Sequence, residues 1–239
     1  MTSKKTPSGK KPRDALARHA GKKTSCVQSK KAAKSAASTS DAGKPDFPIV
    51  GIGASAGGLE ALEELFRGMP ADIGLAFVVV THQHPEHTSM LPELLAKATD
   101  MPVLEAADGT KVEPNHVYVA PPRFDLAILN GMLHRTETER RESPRLPIDH
   151  FFRSLAEDQK ERAICIVLSG TGTDGTLGLR EIKAQSGMVM VEHPQSAKYA
   201  GMPSSAIATG LVDYVLSPAA MPERLIAYAR RPYLKEAKA

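Results

Sequence analysis

Phe47-Pro-Ile-Val-Gly-Ile-Gly53 runs directly into Ala54-Ser-Ala-Gly-Gly58, and Leu59, Leu62, Leu65, Phe66 and Met69 follow with Glu60, Glu63, Glu64 and Arg67 between them. A short apolar run ending in glycines, then apolar residues every three or four positions, predicts a buried strand that turns into an amphipathic helix. Gly68 and Pro70 end that helix. Leu75-Ala-Phe-Val-Val-Val-Thr81 predicts a second strand. Its unbroken apolar character is that of a parallel sheet covered on both faces.

The alternation continues outward from this unit. A helix is expected over 88–98, with short strands over 103–105, 117–120 and 125–129. Asn130-Gly131 reads as a hairpin turn into a strand at 132–135. A charged, proline-bounded surface loop (137–147) precedes a helix at 148–158, a buried strand at 162–168 and a helix at 176–185. Strands at 187–191 and 213–216 and a helix at 219–229 close the pattern. It predicts an α/β fold of three layers, α/β/α, built on a doubly wound, mainly parallel, Rossmann-like sheet with a small antiparallel hairpin.

Charge divides the chain of 239 residues, whose formal net charge is +4. Residues 1–46 hold twelve basic and three acidic side chains, a net of +9, so residues 47–239 carry 19 basic and 24 acidic side chains, a net of −5. The first 46 residues contain no Phe, Tyr or Trp and predict a disordered basic tail. One domain is expected over 47–232, with a short tail over 233–239. A mildly acidic body argues against specific nucleic-acid binding, which needs a basic patch on folded surface. The tail could tether the chain to an acidic partner, nucleic acid or anionic lipid; a solvated extension is the plainer reading.

No stretch reaches the length of a membrane span, and the N-terminus lacks the apolar core of a signal peptide. Cys26 and Cys165 form no disulfide framework, which points to a reducing, cytoplasmic setting.

In such a sheet function lies in the loops at the carboxyl ends of the strands. Three of these loops carry chemistry-bearing residues. Gly53-Ala-Ser55-Ala-Gly57 fits G-x-S-x-G between a strand and a helix, the strained turn that exposes a nucleophilic serine. A simple helix cap by Ser55 remains open on this loop alone. Gly51-Ile-Gly53-Ala-Ser-Ala56 also fits the dinucleotide pattern G-x-G-x-x-A, but the second strand ends Val80-Thr81-His82 without the acid that would hold a ribose.

Thr81-His82-Gln-His84-Pro-Glu-His87 offers His82 as general base. The same loop permits a zinc reading with His82, His84 and His87, and with His150, Asp174 and His193 as later ligands. Against it, the expected aspartate is Glu86, Pro85 constrains the turn, and a parallel β-α-β unit is the wrong scaffold. Leu168-Ser-Gly-Thr-Gly-Thr-Asp174-Gly lacks the lysine of a phosphate-binding loop, and its glycines would bring one carboxylate to the crevice. Asp174 could cap the helix starting near Thr176, or accept the Nδ1–H of His82 and fix its tautomer. The three loops together follow triad logic in the order Ser…His…Asp. The α/β-hydrolase order is Ser…Asp…His.

Five segments carry a family resemblance: Val50-Gly-Ile-Gly-Ala-Ser-Ala-Gly-Gly-Leu-Glu-Ala61, the His82 loop, Val112-Glu-Pro-Asn-His-Val-Tyr-Val-Ala-Pro-Pro122, Leu168-Ser-Gly-Thr-Gly-Thr-Asp-Gly175 and Gly201-Met-Pro-Ser-Ser-Ala-Ile-Ala-Thr-Gly210. Over about 47–230 the chain resembles the catalytic domain of CheB-type protein-glutamate methylesterases, most closely the forms fused to a methyltransferase. The resemblance implies a serine esterase of chemotaxis-type signal transduction that demethylates glutamate methyl esters of chemoreceptors, releases methanol and, in some members, deamidates glutamine. It implies Ser55 as nucleophile, His82 as base and acid, Asp174 as orienting carboxylate, oxyanion donors near Ala56 and Thr171, and Met202-Pro203 close by. No cofactor is implied. A methylated receptor is the expected partner, with a methyltransferase as a further one.

The sequence departs from the family at Ala56, Thr81 and Thr171, where Thr, Gln and Met are usual. Residues 1–46 stand where typical members carry a receiver domain, so phosphorylation control is not expected from this chain. Two other function classes remain: a non-catalytic binding module of a chemosensory pathway, and the zinc hydrolase.

Overall fold

The computed structural model describes residues 45–82, 89–137 and 145–230. The tails expected over 1–46 (Pro45 and Asp46 apart) and 233–239 lie outside the described residues, as do His84, His87 and most of the charged loop expected at 137–147.

In chain order the elements are β1 (Ile49–Ala54), α1 (Gly58–Arg67), β2 (Ala76–Thr81), α2 (Leu91–Leu95), β3 (Val103–Glu105), β4 (Thr110–Lys111), β5 (Val117–Val119), β6 (Phe124–Leu129), β7 (Met132–Glu137), α3 (Pro147–Gln159), β8 (Ala163–Val167), α4 (Thr176–Ala184), β9 (Met188–Glu192), α5 (Gly201–Ile207), β10 (Tyr214–Leu216) and α6 (Met221–Ala229). Seven strands form one sheet in the order β10-β9-β8-β1-β2-β5-β3, and every pairing in it is parallel. The chain winds from β1 out to β3, then returns to β8 on the other side of β1, which makes β1 the switch point of a doubly wound sheet.

Three details differ from the expectation. The hairpin β6–β7 is joined by β4, so the antiparallel part has three strands. Two residues of pairing are too short to leave a periodic signal. The helix expected over 88–98 forms only over Leu91–Leu95, and residues 201–207 form α5, whose start Gly201-Met-Pro hides a helix from pattern reading.

Alternate residues of β1 face opposite layers, as strand geometry requires. Val50 and Ile52 pack with Leu62, Leu65 and Phe66 of α1 and with Met221 and Leu225 of α6. The other face of the sheet packs on Ile148, Phe151, Phe152 and Leu155 of α3 and on Leu126, Ile128 and Leu133 of the small sheet. Each such fully buried side chain contributes about 1.5–3 kcal/mol. On this second face β1 presents Gly51 and Gly53. A Cβ at Gly51 would stand 2.9 Å from Leu155 Cδ2 and 3.0 Å from Phe151 Cε1, and one at Gly53 would press into Ile148. These glycines therefore seat α3 directly on the central strand. That seating places the first turn of α3 beside the carboxyl ends of β1 and β8.

Candidate active site

Ser55, His82 and Asp174 follow three adjacent strands, β1, β2 and β8, on the same edge of the sheet. The strand order thus brings together residues 27 and 92 positions apart. The Ser55 hydroxyl donates to His82 Nδ1 at 3.1 Å. His82 Nε2–H donates to Asp174 Oδ2 at 2.8 Å. The imidazole side chain is 32% exposed and the Asp174 carboxylate 2%, so one end of the relay meets solvent and the other is sealed.

This ring orientation corrects the expectation that Nδ1–H would face the aspartate. His82 leaves β2 with its near ring nitrogen towards Ser55 and its far one towards Asp174. The relay therefore requires the Nε2–H tautomer, with Nδ1 as the free base. Both ring nitrogens are thus engaged within the relay. Among the described residues no three His, Cys, Asp or Glu side chains stand close enough to hold an ion; His84 and His87 lie outside them.

The turn does not strain Ser55, because the unusual backbone conformation falls on a glycine two residues on. Gly57 takes the left-handed conformation, φ 70, and serves as N-cap of α1 without any side-chain cap. Ser55 does not cap the helix through its side chain. Its carbonyl accepts the Gly58 N–H at 2.9 Å, and its hydroxyl is left for His82.

Asp174 does act as a cap, but of a different helix from the expected one. Its carboxylate accepts the N–H groups of Ile148 at 3.0 Å and Asp149 at 2.9 Å, in the first turn of α3, and of Gly175 at 2.8 Å. Leu146, the N-cap residue of α3, offers no side-chain bond, so Asp174 satisfies donors the helix leaves open. The positive end of the α3 dipole and three N–H groups replace water around this buried carboxylate.

Three residues that sequence reasoning missed complete the site. Ser169 clamps the Ser55 turn from below: its carbonyl accepts the Ser55 N–H at 2.9 Å, and its hydroxyl donates to the Ala56 carbonyl at 2.9 Å and accepts the Tyr199 N–H at 3.0 Å. Glu192, 2% exposed at the end of β9, accepts the Ser169 N–H at 2.7 Å. Burial pushes its carboxyl above the ordinary glutamate value, although bonds from Ser169 and Ser196 oppose that. Asp149, 3% exposed, accepts the Gly178 N–H at 2.6 Å; burial raises its carboxyl too, with the Asp174 charge adding to the effect. An acid closing the apolar run Met188-Val-Met-Val-Glu192 was the available signal for the second of these.

Met202 is fully buried against Gly170, and a Cβ on Gly170 would also stand 2.9 Å from Ser55 Cβ. Among the described residues, the N–H groups of Ala56 and Thr171 have no hydrogen-bond acceptor. Both residues are exposed, Ala56 within the Ser55 turn and Thr171 in the loop after β8. Cys165 is buried in β8, and burial pushes its thiol far up, which makes it inert.

A serine, a histidine and a sealed carboxylate in relay at one edge of a doubly wound sheet define the serine-hydrolase class of α/β site. A family model described as CheB methylesterase matches residues 50–225, and the chain belongs to that family. A protein-glutamate methylesterase/protein-glutamine glutaminase of Thermotoga maritima is 35% identical over 182 residues, covering 74% of this chain and 53% of that protein. A putative protein of the same name from Leptospira interrogans is 32% identical over 173 residues, covering 72% of this chain and 90% of its own. The crystal structure of the Thermotoga maritima CheB methylesterase catalytic domain matches with a TM-score of 0.71 at 34% identity, over 76% of this chain and 98% of that one. The chain thus spans about half the length of the Thermotoga maritima protein and nearly all of the Leptospira interrogans one and of the solved domain. No helix among the described residues is long and apolar enough to cross a membrane.

Proposed function

We propose that this chain is a protein-glutamate methylesterase that hydrolyses glutamate γ-methyl esters on a chemoreceptor-type protein, with Ser55 as nucleophile, His82 as general base and acid, and Asp174 as orienting carboxylate. The Ser55–His82–Asp174 relay, at 3.1 and 2.8 Å, carries the reading. As Ser55 Oγ attacks the ester carbonyl, its proton passes to His82 Nδ1, and Asp174 balances the imidazolium through Nε2–H. The oxyanion faces the N–H groups of Ala56 and Thr171. The Nδ1 proton then goes to the departing methoxide, and methanol leaves. Water, deprotonated by Nδ1, cleaves the acyl-enzyme to a free glutamate carboxylate.

The same steps on a glutamine side chain release ammonia, so deamidation is a second reaction of the same site. The substrate is a methylated receptor in the cytoplasm, with the methyltransferase that forms the ester as a further partner. The domain spans 47–232. Release of labelled methanol from a methylated receptor tests this: S55A is expected to lower turnover by up to about 10⁶-fold. Unchanged turnover in S55A would overturn it.

A further inference from the structure

The first turns of α3 and α4 meet behind Asp174, and each is capped by a carboxylate from the other's segment. Asp174, just ahead of α4, accepts the Ile148 and Asp149 N–H groups of α3. Asp149, in the first turn of α3, accepts the Gly178 N–H of α4. Neither helix has a side-chain cap of its own at Leu146 or Gly175. The exchange closes a ring in which the Asp149 backbone holds Asp174 and the Asp149 side chain holds the helix that follows Asp174.

The packing is built for this exchange. A Cβ at Gly178 would stand 3.0 Å from the Asp149 carbonyl oxygen and would crowd Phe152 Cβ, so only glycine lets the two helix starts approach so closely. A buried carboxyl at 149 is costly, since burial first and the neighbouring Asp174 charge next disfavour its ionised form, and the Gly178 and Leu177 N–H groups and Arg153 only partly offset them. An apolar residue would avoid that cost but could not accept the Gly178 N–H.

We propose that Asp149 is a positioning residue of the relay: by tying the start of α4 to α3 it fixes the Asp174 carboxylate at the place where His82 Nε2–H must find it. The proposal rests on the reading of Asp174 as the orienting carboxylate. Asp149 touches neither substrate nor His82.

The test uses ¹⁵N NMR of the His82 ring in the full chain, which needs no substrate, beside methanol-release kinetics. Wild type is expected to show one tautomer, protonated at Nε2. D149A is expected to move both nitrogens towards the averaged value of a mixed tautomer, and to lower kcat about 10- to 100-fold with KM unchanged. D149N, whose amide oxygen still accepts the Gly178 N–H, is expected to keep the single tautomer and recover most of kcat. D149S, a residue that caps helices well, substitutes for D149A if the alanine variant does not fold, with an intermediate result expected. A single Nε2–H tautomer and wild-type kcat in D149A overturn the proposal, and so does a D149N as impaired as D149A. If the tautomer responds as expected but wild type releases no methanol, the functional reading fails and the positioning role stands.

Discussion

The Glu192 carboxylate accepts the backbone N–H of Ser169 at 2.7 Å directly beneath the turn that carries Ser55. Ser169 in turn holds the Ser55 N–H and the Ala56 carbonyl. The geometry of the Ser55 turn is therefore set from below by a buried acid two strands away from β1.

Glu192 gives a pH signature with a defined sign. Burial raises its folded-state value above the ordinary 4.5, so the folded chain binds the proton more tightly than the unfolded one. Its contribution to stability is full below 4.5 and is lost as pH rises through the raised value. E192Q cannot ionise but keeps an acceptor for Ser169. Thermal unfolding of both proteins from about pH 4 to about pH 8 should show the wild-type Tm falling relative to E192Q. A wild-type Tm that rises relative to E192Q would contradict the buried-acid account.

Ser169→Ala removes the hydroxyl clamp but leaves the backbone bond to Ser55. The part-buried Tyr199 N–H then loses its acceptor, at a cost of about 0.5–1.5 kcal/mol. We expect a matching loss in urea unfolding and a kcat lower by about tenfold with KM unchanged. A variant destabilised to this degree with wild-type kcat would show that the clamp serves folding alone.

Gly170→Ala places a Cβ 2.9 Å from Ser55 Cβ and against Met202 Sδ. Overpacking of this kind costs about 1–3 kcal/mol. Adding Met202→Ala relieves the sulfur contact but not the serine contact. G170A/M202A is expected to regain thermal stability over G170A without regaining methanol release. Joint recovery of both would mean that Met202, and not Ser55, bears the clash.

Asp158→Ala separates stability from activity. At the end of α3, Asp158 accepts the N–H groups of Asn130 at 2.5 Å and Gly131 at 3.1 Å in the β6–β7 turn, and Gln159 Nε2 at 2.8 Å. Hydrogen bonds to a charged group contribute about 1.5–3 kcal/mol each. We expect a loss of at least about 3 kcal/mol in denaturant unfolding, with kcat unchanged at temperatures where the variant is folded. A lower kcat under those conditions would tie the small sheet to the site.

The strands legible in the sequence were those buried on both faces. Leu75–Thr81 and Arg162–Leu168 have no polar face to confuse, and they were placed to within a residue or two at each end. Ser55, His82 and Asp174 were legible because each lies in a loop that follows a strand of one parallel sheet, and parallel strands deliver those loops to one edge. The ring orientation of His82 was not legible, since it depends on the side on which Asp174 sits, and α3 fixes that. Asp149, Ser169 and Glu192 escaped because each acts through a backbone N–H or carbonyl of a distant segment, and such bonds leave no spacing in the chain. Gly51 and Gly53 fitted two motifs on paper; their contacts with α3 give them a packing role.

The strand order has a kinetic meaning as well. Ser55, His82 and Asp174 follow β1, β2 and β8, and β8 pairs with β1 across all of the intervening β3 to β7. Pairings of such long range must first overcome loop-closure entropy and are intrinsically slow. Esterase activity regained on refolding should therefore lag behind recovery of helical signal. The relay works as a built-in indicator that both halves of the sheet have closed on their central strand.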